Sequence, residues 1–338
     1  MHATCEGTER YAARHPGYQA AGFYRTCSYP TIGGLRVSTL GIGTYLGDAT
    51  ESADRAYTDA LIAAGEGGIN FFDSAINYRN QRSERSIGAA MARLQRDEIV
   101  VCTKAGFLTP GAVPDFLEPD DVVGKMHSLA PRFLADQIDR SRANLWVDTI
   151  DVFYLHNPET QLGFRSRPEF EARMRRAFAQ LERLVEQGKI RWYGSATWDG
   201  FRKNDALSLP RLAEMAAGEG GPGHHFRFIQ LPFNFSMVEA FAGRPESVLA
   251  AADRLGIVVV ASATLLQTRV LSHMPDAAGE LLPGLASDAQ RAIQFTRSTP
   301  GIAVALVGMG RREHVLDNLG VAAVRPAARE PYLRFYQR

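Results

Sequence analysis

Phe71-Phe72-Asp73-Ser74-Ala75-Ile76-Asn77-Tyr78 is an apolar run that stops on a carboxylate, with a tyrosine following closely. A carboxylate closing a buried strand is costly unless it is paired or hydrogen-bonded. Asp73 therefore calls for a cation, and Lys104 stands at the end of a second apolar run. A third run, Val152-Phe153-Tyr154-Leu155, ends on His156. Three successive strands each finishing on a titratable group is the arrangement expected where catalytic residues line one end of a parallel barrel.

Outward from that stretch the chain keeps one rhythm. Paired glycines Gly33-Gly34 between Tyr24–Tyr29 and Leu35–Val37 predict a hairpin, because tight turns need positive φ. Strands are predicted at 38–43, 70–73, 99–104, 150–156, 190–196, 228–232, 257–263 and 302–307. Helices are predicted between and after them at 54–64, 83–94, 131–145, 169–187, 208–217, 246–255, 287–298 and 313–321, from apolar residues at helical spacing. Runs such as Ile257-Val258-Val259-Val260 indicate strands buried on both faces, as in parallel sheets. The expected fold is α/β, a closed (β/α)₈ TIM barrel with an N-terminal β-hairpin and long βα loops, the longest spanning 105–130. Residues 23–325 form the single barrel domain, 326–338 a C-terminal tail. Residues 1–22 show no periodicity and are expected to form an extension that packs late or stays partly mobile.

The 338 residues carry a formal net charge of +1, with 45% hydrophobic and 22% charged residues, so no footprint for nucleic acid or an anionic membrane is expected. The longest apolar run, 257–266, contains Ser262 and Thr264 and is too short for a bilayer span. Charges at Glu6, Glu9 and Arg10 speak against a signal peptide, and Cys5, Cys27 and Cys102 have no metal or redox spacing, so a cytoplasmic setting without a metal is expected. Gly41, Gly43 and Gly47 mimic a dinucleotide fingerprint but at the wrong spacing, with no acidic residue closing a second strand where one is needed.

Chemically, Asp73, Tyr78, Lys104 and His156 fall at the carboxyl ends of strands two to four. A tyrosine with a pKa of about 10 is a poor acid or base at neutral pH, but a lysine beside its oxygen favours the phenolate and lowers that value. The set describes a tyrosine acid/base tuned by Lys104 and Asp73, with His156 as a donor to a carbonyl oxygen.

Together with Ser83-Glu84, Thr103-Lys104, Leu155-His156-Asn157-Pro158, Gly188-Lys189-Ile190-Arg191, Gln230-Leu231-Pro232-Phe233-Asn234 and Glu313-His314-Val315-Leu316-Asp317-Asn318, the Phe72-Asp73-Ser74-Ala75 stretch resembles the aldo-keto reductases. The resemblance runs from about Leu35 to Leu319. It implies NAD(P)H-dependent reduction of an aldehyde or ketone, or the reverse oxidation, with Tyr78 as proton donor, Lys104 and Asp73 as its tuners and His156 as carbonyl orienter. It further implies Gln230 and Thr197 on the carboxamide, Phe233 stacked on the nicotinamide, and Leu265 beside the cofactor. Gly308-Met309-Gly310, Arg311, Arg312 and His314 would serve its phosphates, with Asp317 and Asn318 toward the adenine. Departures from the family pattern are Ala196 and Thr197 in place of serine and asparagine, Gly308 and His314 in place of lysine and arginine, and Asp317 in place of glutamate. NADP(H) is the expected cofactor and NAD(H) the alternative, with a small carbonyl or alcohol as substrate. Tyr45, Phe107, Trp198 and Phe235, with Phe116, Leu117, Phe201, Met237 and Phe241, are expected to wall an aromatic, largely uncharged pocket. Two rival readings stay open: a nicotinamide-binding sensor or channel-associated subunit with little turnover, and a barrel aldolase using Lys104 as a Schiff base.

Overall fold

In the computed structural model, which describes residues 1–29, 32–202, 206–243 and 245–336, eight parallel strands close into a barrel. They are β1 (Leu40–Gly43), β2 (Phe71–Asp73), β3 (Val100–Ala105), β4 (Ile150–His156), β5 (Ile190–Ala196), β6 (Phe226–Pro232), β7 (Val258–Ser262) and β8 (Ile302–Gly308). Eight helices surround them: α1 (Glu51–Gly67), α2 (Arg82–Met91), α3 (Pro131–Leu145), α4 (Arg167–Glu186), α5 (Leu209–Gly220), α6 (Val248–Arg254), α7 (Asp288–Ser298) and α8 (Arg312–Asn318). The predicted barrel therefore holds, and β4 and β5 span the predicted residues.

Side chains alternate across each strand, which divides the apolar residues into two cores. Phe71, Val100, Cys102, Val152, Tyr154, Phe228, Val260 and Leu306 fill the barrel interior. Phe72, Val101, Phe153, Leu155, Ile229 and Leu231 face the helices instead. At Gly194 an added Cβ would lie 1.9 Å from the Phe228 carbonyl oxygen, so only glycine lets β5 and β6 approach so closely.

The hairpin, Tyr24–Cys27 paired with Leu35–Ser38, closes the barrel floor, where Leu35 and Val37 join the interior core. Before it, residues 1–22 differ from the expected loose extension. Two helices, Cys5–Ala13 and Pro16–Ala20, form there, the first capped by Thr4. Tyr11 is buried and donates to the Gly65 carbonyl at 2.6 Å, while Arg10 and Arg14 pair with Glu98. Burial of Tyr11 and Ala12 on α1 offsets the ordering entropy that a free segment would keep. The C-terminal segment also packs down. Tyr332, in a short helix at Arg329–Leu333, is buried against Phe295 with its hydroxyl 2.6 Å from Thr299 Oγ1, and the last two residues lie outside the described ones. No helix among the described residues is long and apolar enough to cross a membrane.

Candidate active site

Strand parity and register place the site. Asp73, Lys104 and His156 occupy inward positions, two residues beyond Phe71, Cys102 and Tyr154, which point into the barrel interior. Neighbouring registers, Asp73 with Cys102, Lys104 with Tyr154 and His156 with Ala196, stack them at the carboxyl mouth. There Lys104 Nζ donates to Asp73 Oδ2 at 2.5 Å and to the Ser74 carbonyl at 2.6 Å. Gln230 Nε2 donates to the other Asp73 oxygen at 2.9 Å. The ammonium stands 4.9 Å from the centre of the Tyr78 ring, and Tyr78 meets His156 edge to face at 5.8 Å between ring centres. The four residues read from the sequence are thus brought together.

Burial governs their charge. Desolvation works against the Lys104 ammonium, but Asp73 and Tyr78 outweigh it and hold its pKa above the ordinary lysine value. Burial likewise raises Asp73, opposed by Lys104 and by Gln230. A buried ammonium needs an anion beside it, so the pair is ionised at neutral pH. For Tyr78 the sequence expectation is corrected. Burial raises its pKa, and the lowering by Lys104 does not cancel that rise, because a phenolate loses more hydration here than one cation restores. Tyr78 is a protonated phenol at neutral pH. Burial, then Lys104 and His127, push the His156 pKa well below the usual imidazole value, so the ring is neutral. Its Nδ1 is buried without a partner among the described residues.

Asp73, Tyr78 and His156 open onto a cavity of about 680 Å³. Tyr45, Phe107 and Trp198 line it as expected, with Tyr45 edge to face on Tyr78 at 5.0 Å. Gln230, Thr197, Leu265 and Gly308 line it too. Phe233 does not. It lies one residue out of phase with Gln230, points to the helix layer and stacks on Phe295 at 5.9 Å. Phe235 stacks on the same ring at 3.9 Å and is likewise absent from the wall. The further aromatic and apolar candidates, Phe116, Leu117, Phe201, Met237 and Phe241, also stay out of it; Phe116 packs beneath Arg132, and Phe241 against Tyr332 and Tyr336. Beyond Gly308, Met309 is buried in the outer core and Gly310 sits against the Tyr57 ring, so neither lines the cavity. Arg311, Arg312, His314 and Asp317 are exposed, and Asn318 is buried, all outside the lining.

Several wall residues were not singled out in advance. The segment 262–269 after β7 contributes all eight of its residues, of which only Leu265 was expected. Ala263, Leu266, Gln267 and Thr268 there hold positive φ, a conformation that costs non-glycine residues roughly 1–2 kcal/mol each. With no glycine in the stretch, no sequence signal marks that shape. Thr197 Oγ1 and Thr264 Oγ1 are buried at the cavity without a hydrogen-bond partner. Among the described residues no cluster of His, Cys, Asp or Glu could hold a metal.

The family model for the aldo/keto reductase family matches residues 39–276. The chain belongs to the aldo/keto reductase family. Among its relatives, D-threo-aldose 1-dehydrogenase of a Pseudomonas species is 32% identical over 188 residues, 52% of this chain and 53% of that protein. NADH-specific methylglyoxal reductase of Escherichia coli is 28% identical over 183 residues, 53% and 54% of the two chains. The chain thus spans about half the length of these curated relatives. A Schizosaccharomyces pombe protein provisionally named a voltage-gated potassium channel subunit beta is 23% identical over 317 residues, 85% of each chain. Among solved structures, an aldo-keto reductase of Klebsiella pneumoniae in complex with NADPH superposes with a TM-score of 0.66 at 20% identity, covering 90% of this chain and 94% of that one. These structural likenesses speak for the family's barrel.

Proposed function

We propose that this aldo/keto reductase family member interconverts a carbonyl compound and its alcohol, with Tyr78 as general acid/base. The observation that carries the reading is the joining of Tyr78, the Asp73–Lys104 ion pair and a neutral His156 at one cavity. A nicotinamide dinucleotide, when bound, supplies or accepts the hydride. The residues fit such a group: the orphaned hydroxyls of Thr197 and Thr264 and the amide oxygen of Gln230 suit its polar groups, while Arg269 lines the same wall. Arg311, Arg312 and His314, exposed just beyond Gly308, favour the phosphorylated dinucleotide NADP(H) over NAD(H).

In the reducing direction the neutral His156 ring donates an N–H to the carbonyl oxygen, and Tyr78 delivers the proton that converts it to a hydroxyl. Lys104, kept charged by Asp73, stabilises the oxygen left on Tyr78. Phe107, edge to face on the His156 ring, covers that side of the transfer. In the oxidising direction the same groups run in reverse.

Mixing the protein with NADPH and a panel of aldehydes, ketones and sugars tests the reading through loss of nicotinamide absorbance. Dinucleotide binding without turnover of any panel member would favour instead a sensor or regulatory subunit, a reading supported by the match to the protein named as a channel subunit.

A further inference from the structure

Just after His156 the chain makes a short 3₁₀ turn, Pro158–Gly163, and two of its side chains reach the loops on either side of β4, those after β5 and β3. Glu159 Oε1 accepts three successive backbone N–H groups, from Trp198 at 2.9 Å and from Asp199 and Gly200 at 3.2 Å each. Trp198 is the wall residue of the β5 loop. Three convergent donors on one carboxylate oxygen form an anion nest, satisfied here from within the chain. The other carboxylate oxygen, Oε2, is buried without a partner, so the side chain is committed to this loop and to nothing else among the described residues.

On the opposite side, Gln161 Nε2 donates to His127 Nδ1 at 2.9 Å, and this leaves His127 Nε2–H to donate to the His156 carbonyl at 2.8 Å. His127 belongs to the long loop after β3, where it bridges Phe107 and packs edge to face on that ring at 5.1 Å. Phe107 in turn meets the His156 ring at 5.1 Å. Gly106 makes the approach feasible, since a Cβ there would come within 2.6 Å of both His127 Nε2 and the His156 oxygen.

One turn, covalently continuous with the carbonyl-orienting histidine, therefore holds the Trp198 wall by a carboxyl group and the Phe107 wall through a neutral relay. We propose that Glu159 and Gln161 are positioning residues that set the distance between these two aromatic walls and so select substrates by the bulk flanking the carbonyl group. The proposal rests on the reductase reading above and adds to it the origin of its selectivity.

Hydrogen exchange tests the clamp without reference to activity. In Glu159→Ala the amides of Trp198, Asp199 and Gly200 exchange about tenfold faster or more, as expected for lost charge-assisted hydrogen bonds, while those of β4 and β5 are unchanged. In Glu159→Gln, which keeps the size and an acceptor oxygen, the change is smaller. Unchanged protection at those amides in both variants overturns the proposal.

Kinetics tests the consequence. The ratio of kcat/KM for a small aliphatic aldehyde to that for a bulky aromatic one shifts about tenfold in Glu159→Ala through KM, with NADPH affinity held within about twofold. The same substitution in a Trp198→Ala background shifts the ratio less than about twofold, because the wall it acts through is gone. A uniform loss across substrates, or a full shift in the Trp198→Ala background, overturns the proposal. Failure to bind any dinucleotide would overturn the reductase reading itself, and that is a separate result.

Discussion

The two sides of the barrel mouth are built differently. On the β2–β4 side, Asp73 and Lys104 bond each other at 2.5 Å, the Ser74 carbonyl and Gln230 of β6 add one bond each, and His156 keeps a buried Nδ1 without a partner. On the β5–β8 side, Thr197 and Thr264 keep hydroxyls without partners, and the 263–268 segment stores positive φ at four non-glycine residues. If the proposed proton transfer runs there, the ion pair of the first side needs no rearrangement when a carbonyl arrives. The second has bonding capacity to spare, which suits a large polar ligand that brings its own donors and acceptors. The contrast teaches that in this barrel the Asp73–Lys104 pair is completed by folding, whereas the β5–β8 wall keeps polar groups that folding leaves open.

The largest expected effect would break the contrast at its chemical side. Tyr78→Phe should lower kcat by about 10²–10⁴, the span of general acid catalysis, while NADPH affinity measured by fluorescence titration stays within about twofold. A mutant that keeps most of its rate would remove the proposed acid. Because burial holds the Tyr78 pKa above its ordinary value, the proton donor is fully present through neutral pH. Reduction should therefore be flat there and fall only at strongly alkaline pH, whereas oxidation, which needs the phenolate, should rise with pH.

Next in size is the ion pair. Lys104→Met leaves Asp73 buried and uncompensated, and urea unfolding at pH 7 should show a loss of about 3–5 kcal/mol. A loss under about 1 kcal/mol would mean that the pair is not the anchor of that side.

Part of the acid limb of stability comes from His127, whose pKa burial lowers from the ordinary 6.5 to about 4, alongside the likewise lowered His156 and His224. Below pH 6.5 the unfolded chain takes up a proton that the folded chain refuses, so stability falls as pH drops from 6.5 toward 4 and is level above that window. The contribution of this one ring is about 3 kcal/mol across the interval. His127→Gln should flatten the slope of unfolding free energy against pH in that window; an unchanged slope would show that the ring does not stay neutral when folded.

The smallest effect sharpens the binding side. Replacing Arg311 and Arg312 together with Ala should weaken NADPH about tenfold relative to NADH, with NADH binding little changed, as isothermal titration would show. Equal weakening of both would place the 2′-phosphate elsewhere.

The mismatches between sequence and structure follow the same division. Asp73, Lys104 and His156 could be read because each closes an apolar strand, and strand alternation carries an inward residue to the mouth without any further information. By the same parity the Phe233 and Met309 side chains, each an odd number of residues beyond the inward Gln230 or Gly308, face the helices. The 262–269 wall was out of reach, since its positive φ values are imposed by surroundings rather than by glycine. So was the link from Glu159 to Trp198, because an acid that joins two βα loops looks like any other acid beside a proline.

What the order of residues determined by itself is the barrel and the four groups at its mouth, because periodicity and strand ends are local properties of the chain. Only the tertiary structure decided the direction in which the Tyr78 pKa moves, the docking of the first 22 residues and the identity of the cavity walls. Each depends on burial or on contacts between segments distant in sequence, and no local pattern encodes how much water a folded chain excludes.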